Sequence, residues 1–251
     1  VIIVAPPNPS KCPPGPYERA SLIALYCKRH KPKAKILILD FKDAFAMQEL
    51  YIQGWTQQYG YGTDNSMIEW IPAAGGAEVE ELDAESLTLT CAVEDFEGDV
   101  INIIPAQKAG KIAYAADLVE DDWCPVDKKT FESSRHPGVY VLGDASEAAK
   151  MPKSAYAANS QAKVAAAAIV NRLNGREPGD AAYVNACYGI VGEEFGLSAA
   201  GVYELDATNN MLESIEGSGG VSPIDASAEN RKREVSYAHS WFRNVIDDMM
   251  R

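Results

Sequence analysis

Apolar residues run unbroken through Val1-Ile2-Ile3-Val4-Ala5 and again through Ile36-Leu37-Ile38-Leu39. Between them lies a stretch in which Ala20, Ile23, Ala24 and Cys27 recur at three- and four-residue intervals. Short continuous apolar runs read as strands buried on both faces, and the spacing between them reads as a helix, so the first forty residues predict a βαβ unit. The loop that opens the helix, from Pro6 to Pro16, stands where a dinucleotide-binding fold places its glycine-rich turn. It is rich in proline instead. Prolines remove backbone N–H donors and stiffen the chain, so a pyrophosphate would find few amides to bind it. Asp40, at the end of the second strand, takes the place of the ribose-binding carboxylate of that fold. The pattern predicts a nucleotide-domain scaffold that has lost its nucleotide and carries a thiol, Cys12, at the start of the helix.

Farther along, residues 78–104 read as short strands with acidic turns, ending in Val100-Ile101-Asn102-Ile103-Ile104. A strand is predicted over Gly138-Val139-Tyr140-Val141-Leu142, running directly into Gly143-Asp144-Ala145. An alanine-rich helix follows from about Ser154 to Leu173, with Gly175 as its C-terminal stop. From Pro178 the pattern changes to short strands over 183–189 and 202–205 and a closing amphipathic helix over about 232–249. The expected division is a vestigial nucleotide-binding-like domain at 1–110, the C-terminal part of a cofactor domain at 111–176 and an interface or dimerisation domain at 177–251.

At 251 residues and 47% hydrophobic, the chain can bury a substantial core. Its net charge of −13 argues against nucleic-acid binding, since a phosphate backbone would be repelled. The one basic cluster, Lys28-Arg29-His30-Lys31-Pro32-Lys33, falls at the end of the first helix, where cations complement the helix dipole. No apolar run reaches the roughly 18 residues needed for a membrane-spanning helix. The five cysteines, at 12, 27, 91, 124 and 187, include no Cys-x-x-Cys, and the three histidines lie in no metal-type motif, so no metal site is expected. The chain opens inside a strand and without Met, which reads as a piece of a longer protein.

Two places carry candidate chemistry. Glycine followed by aspartate after a strand lets backbone approach a flavin while the carboxylate accepts from ribityl or ribose hydroxyls, and a turn capped by Asp is the plainer alternative. Pro152 and Ser154 set a helix start, and Lys153 adds positive charge at the same end. The second place is Cys12, because a thiol at a helix N-terminus is held toward thiolate, and a disulfide there is open to sulfur nucleophiles. Cys187 is the candidate partner; a structural disulfide or two unrelated thiols are the alternatives.

Longer strings then bear on identity. Cys-Pro-Pro-Gly-Pro-Tyr-Glu-Arg-Ala-Ser from Cys12, Trp-Cys-Pro-Val-Asp from Trp123, Thr-Phe-Glu-Ser-Ser from Thr130, Gly-Asp-Ala from Gly143, Met-Pro-Lys-Ser from Met151 and Ala-Asn-Ser-Gln from Ala158 occur in this order, with Tyr237 and Trp241 in the closing helix. Together they resemble the flavoprotein subunit of flavocytochrome c sulfide dehydrogenase. The resemblance implies an α/β, two-dinucleotide-binding-domain flavoprotein fold of the disulfide-reductase type, here incomplete, with a C-terminal α+β interface domain. It implies FAD as cofactor, although the covalent attachment residue and the glycine-rich FAD loop of that family are not in this sequence. Ser146 stands where the family often has cysteine.

Carried over residue by residue, the resemblance implies a redox-active disulfide between Cys12 and Cys187, with Glu18 and Trp241 nearby and with Gly143, Asp144, Lys153 and Ser154 toward FAD. Sulfide would be the substrate, haem c on a cytochrome c subunit the electron acceptor, and the periplasm the compartment that permits the disulfide. The nearest alternative is a sulfide:quinone reductase, which needs an apolar C-terminal surface, whereas this C-terminus is charged. A third reading is a non-catalytic interaction module with an acidic surface.

Overall fold

The computed structural model describes residues 1–250. They form two compact units, each assembled from separate stretches of chain: one from residues 1–106, 188–198 and 222 onward, the other from residues 107–187 and 199–221.

The first unit is built on a parallel sheet. Strands β1 (Ile2–Ala5), β2 (Ile36–Asp40), β3 (Ile68–Ile71) and β7 (Ile101–Ile103) lie in the order β3-β2-β1-β7, with Ile3 opposite Ile38 and Asn102. β1 is buried throughout, which is why its sequence is apolar without alternation. Helix α1 (Gly15–His30) makes the predicted crossover. Pro16 preorganises its first turn, and Tyr17, Ala20, Ser21, Ala24 and Cys27 form its buried stripe. A second helix, α2 (Gln48–Tyr59), lies in a stretch that the hydrophobic pattern leaves unassigned. It buries Leu50, Tyr51, Trp55 and Tyr59 beside Ile3, Ile36, Ile38 and Ile68 in the main core.

The other side of the sheet has its own core, in which Ile2, Val4 and Leu39 meet Leu89 and Cys91. Leu89 and Cys91 belong to the antiparallel sheet β4 (Val79–Asp83), β5 (Thr88–Cys91) and β6 (Asp95–Glu97), so the strands expected between 78 and 104 are present. Val191, Phe195 and Leu197 complete the main core from strands β8 (Tyr183–Gly192) and β9 (Phe195–Asp206), each of which runs from one unit into the other. Helix α5 (Ala228–Met250) closes the unit. It starts four residues before the expected position.

The second unit contains the short helix α3 (Lys111–Ala115), the long helix α4 (Ala155–Leu173), and strands β10 (Met211–Ser214) and β11 (Gly220–Val221) paired antiparallel to β9. Val126, Phe131, Met151, Ala157, Ala165, Tyr183 and Leu212 form its core. The strand expected over 138–142 is not formed. Gly138 is left-handed at φ +82°, and the segment's backbone is satisfied singly, Val139 accepting from the Ser133 N–H (2.7 Å) and Val141 donating to Phe131 (2.9 Å). Among the described residues the mixture of parallel and antiparallel sheets places the fold in the α/β class.

Candidate active site

In the first unit the Cys12 loop is anchored from below. Cys12 is exposed and left-handed at φ +45°, its carbonyl accepts from the Gly15 N–H at 2.7 Å, and its sulfur lies 3.7 Å from where a Gly15 Cβ would stand. The sulfur therefore sits at the first turn of α1. Beneath it, Asp40 is wholly buried. Its Oδ2 accepts from Tyr17 Oη at 2.5 Å and Trp70 Nε1 at 3.0 Å, and its Oδ1 accepts from Lys42 Nζ at 2.6 Å and the Lys42 N–H at 3.1 Å. A ribose hydroxyl would find this carboxylate already taken, although Asp40 stands in the position of a ribose-binding carboxylate. Burial and the Asp40 hydrogen bond push the Tyr17 phenol far above its ordinary range.

Glu18, one residue on, points to a different partner. Its half-buried carboxylate accepts from the Ile190 N–H in β8 at 2.8 Å. Burial raises its pKa, and the Ile190 hydrogen bond works against that rise. Trp241, on α5, faces Tyr188 of β8 with ring centroids 6.5 Å apart. Glu18 and Trp241 thus approach the same strand, three and one residues beyond Cys187 respectively.

Glycine is required where β8 meets α2. A Cβ on Gly189 would stand 2.4 Å from Tyr51 Oη and 2.8 Å from Leu197 Cδ1, and one on Gly54 would stand 2.7 Å from Val191 Cγ1. Gly189 leaves room for the Tyr51 ring and Leu197, and Gly54 for Val191 and the Phe195 ring.

In the second unit, Gly143, Asp144 and Ala145 form a 3₁₀ turn with Gly143 at φ +71°. A Cβ there would meet Ala158 Cβ at 3.1 Å, so only glycine brings the turn so close to α4. The buried Gln161 accepts from the Gly143 N–H at 2.7 Å. Lys153 holds the turn from the other side. Its ammonium donates to the Asp144 carbonyl (2.9 Å) and the Ser146 carbonyl (2.8 Å) and lies 3.7 Å from the Trp123 ring centroid. Burial lowers its pKa, while Asp144 and Glu147 act to keep it charged. Cys124, fully buried, ties its own strand of chain to the turn through the Ala145 carbonyl at 2.9 Å.

Ser154 caps α4 by accepting from the Ala157 N–H at 3.0 Å, as the sequence predicts. The same hydroxyl donates to Asn185 Oδ1 at 2.5 Å, which orients the amide so that Asn185 Nδ2 faces Cys187 Sγ at 3.7 Å. Burial, and after it the charge of Cys187, raises the pKa of Tyr203. Four sequence candidates are therefore joined in pairs within this unit: Lys153 with Asp144, and Ser154 with Cys187 through Asn185. The sequence reading missed Asn185, Trp123 and Gln161. Asn185 had a signal, since residues two apart on a strand share a face.

The Lys153 ammonium and the Gly143 amide are both engaged within the chain. Among the described residues no group of three or more His, Cys, Asp or Glu is arranged to hold a metal ion, and no helix is long and apolar enough to cross a membrane.

A family model described as the sulfide dehydrogenase [flavocytochrome c] flavoprotein chain, central, matches residues 1–105. A second, described as flavocytochrome c sulphide dehydrogenase, flavin-binding, matches residues 179–250. Among solved structures, the fold is similar to a chain in the cryo-EM structure of the Tetrahymena thermophila mitochondrial ATP synthase, at 14% identity and a TM-score of 0.53, over 80% of this chain and 50% of that one. That likeness concerns the fold alone, and this chain spans about half the length of the chain it matches.

Proposed function

The chain belongs to the flavoprotein-chain family of flavocytochrome c sulfide dehydrogenase, and from that premise we propose that it takes part in the flavin-dependent oxidation of sulfide. The observation that carries this reading to particular residues is the Ser154–Asn185–Cys187 connection, which links the start of the alanine-rich helix to a cysteine sulfur. Cys12 and Cys187 are the proposed redox pair. Hydrosulfide attacks one sulfur of their disulfide; a new S–S bond forms as the old one breaks, leaving a persulfide on one cysteine and a thiolate on the other. Gly143, Asp144, Lys153 and Ser154 would hold FAD, which when bound would supply the two-electron acceptor for this chemistry and a relay of single electrons to haem c on a partner cytochrome.

The chain's residues have distinct parts in this reading. Asn185 stabilises Cys187 as a thiolate when the disulfide opens. Glu18 accepts or returns the proton of hydrosulfide; its burial, which raises its pKa, supports this role, and the Ile190 N–H holds its carboxylate. Trp241 and Tyr188 shape the approach to the same strand. Gly143 and Asp144 present backbone and carboxylate to the hydroxyls of FAD, with Lys153 and Ser154 holding the turn and the helix start. The complete protein is then a two-dinucleotide-domain flavoprotein in which residues 1–110 are the vestigial nucleotide domain, 111–176 the end of the FAD domain and 177–251 the interface domain. Its compartment is the periplasm, where disulfides persist.

The test is Cys12→Ser in the complete protein with its cytochrome. Loss of sulfide oxidation with the flavin spectrum unchanged is expected, and a wild-type rate would refute the mechanism. A sulfide:quinone reductase draws on one observation, the exposed apolar residues Phe242, Ile246 and Met249 along α5. Reduction of a short-chain quinone but not of cytochrome c would favour it.

A further inference from the structure

The buried Asp40 has no part in the chemistry above, yet its contacts reach both ends of the loop that carries Cys12. On one side Lys42 Nζ, bound to Asp40 Oδ1 at 2.6 Å, also donates to the Pro6 carbonyl at 2.5 Å, which is where the loop leaves β1. On the other side Tyr17, in the first turn of α1, donates its hydroxyl to Asp40 Oδ2 at 2.5 Å. Trp70 Nε1 supplies a further donor to the same oxygen. One carboxylate therefore joins the exit of β1 to the entry of α1, and the proline-rich segment between them carries Cys12. Phe45 stacks on the Tyr17 ring with centroids 3.6 Å apart, which fixes the phenol further.

We propose that Asp40, Lys42 and Tyr17 are positioning residues for Cys12, a staple across the base of its loop that holds the sulfur at the first turn of α1. The proposal rests on the reading of Cys12 as the reactive thiol. In physical terms the staple reuses the carboxylate at the end of β2 to fix a loop from inside the protein. A charged carboxylate buried at this position is stable because Lys42 neutralises it and four donors satisfy it. Removing either arm frees one end of the loop, and the sulfur loses its fixed place near the partial positive charge of the helix start.

The experiment measures the rate at which iodoacetamide modifies Cys12 in the reduced, full-length protein at about neutral pH, with peptide mapping to follow each cysteine separately. Lys42→Met and Tyr17→Phe are each expected to slow Cys12 about threefold or more, since less of the sulfur is thiolate, while Cys187 keeps its parental rate. Lys42→Arg, which retains charge and donors for both Pro6 and Asp40, restores the Cys12 rate. Ser66→Ala serves as the structural control, because Ser66 is buried in the same unit and donates its hydroxyl to the Ile68 carbonyl at 2.5 Å, away from Asp40, Lys42 and Tyr17. Unchanged or faster modification of Cys12 in both arm variants overturns the proposal, as does an equal slowing in Ser66→Ala. The readout needs neither sulfide nor flavin. A staple confirmed here beside a Cys12→Ser protein that still oxidises sulfide would locate the failure in the functional reading and not in the positioning.

Discussion

Replacing Gly189 by alanine tests whether the contact of β8 with α2 is as tight as its geometry indicates. Gly189 is not among the left-handed residues, so its backbone accepts alanine without strain and only the new methyl group matters. That methyl would stand 2.4 Å from Tyr51 Oη, 2.8 Å from Leu197 Cδ1 and 3.2 Å from Tyr51 Cζ. Ordinary contacts begin near 3.4 Å, so the ring would have to withdraw by about 1 Å. It has nowhere to go. Tyr51 and Leu197 are fully buried, and Tyr51 is packed against Tyr17, Phe45 and Trp55 at centroid distances of 6.1, 6.2 and 5.8 Å. Overpacking of a fixed core costs about 1–3 kcal/mol, and simultaneous conflict with two rigid neighbours places this site at the upper end, about 2–3 kcal/mol. Urea unfolding of the parent and of Gly189→Ala gives the loss directly. Tyr51→Phe removes the atom in closest conflict, so the double variant should recover about 1 kcal/mol of it relative to additivity. A Gly189→Ala protein within about 0.5 kcal/mol of the parent, or strict additivity with Tyr51→Phe, would refute the close packing.

Glu18→Gln keeps an acceptor for the Ile190 N–H but cannot ionise. The folded pKa of Glu18 lies above its unfolded value, so the unfolded chain releases its proton first as pH rises. Stability from this group is complete below about pH 4.3, is lost as pH climbs through the folded pKa, and is level above it. The variant should therefore gain stability relative to the parent between pH 4 and pH 8, while sulfide oxidation by the complete protein falls; a difference that is independent of pH would remove burial as the cause. Lys153→Met deletes two charge-assisted hydrogen bonds and the contact with Trp123, with an expected loss of about 2–4 kcal/mol. Thermal unfolding checks that loss, and the flavin absorbance of the complete protein should weaken with it as the Gly143–Ser146 turn is released.

Much of this was legible in the chain because certain local signals are decisive. Two continuous apolar runs around a helical period specify buried parallel strands, and Ser154 ahead of an alanine-rich run specifies a capped helix. Asp40 shows the limit of such signals. Its position at the end of β2 is correct for a ribose ligand, but its role is decided by Tyr17, Lys42 and Trp70, which approach from 23, 2 and 30 residues away. The apolar run over 138–142 has strand composition without a sheet to join, since composition expresses how well a residue suits a pleated surface and cannot supply the neighbouring strand. Helix α2 escaped notice because its buried side is aromatic, and Tyr51, Trp55 and Tyr59 read equally well as strand formers. The joining of Ser154 to Cys187 depends on Asn185 and is seen only when β8 and α4 are placed together.

The division of each unit into separate stretches of chain has a consequence for how the protein is made. The apolar side of α2 is synthesised early, but Val191, whose carbonyl accepts the Tyr59 hydroxyl, follows 132 residues later. At about 5–20 residues per second that interval is roughly 7–26 s, far longer than a small α/β nucleus needs to form. A nascent chain with its first sheet already in place thus waits on the ribosome with one side of α2, the side that Val191, Phe195 and Leu197 will cover, still open to water.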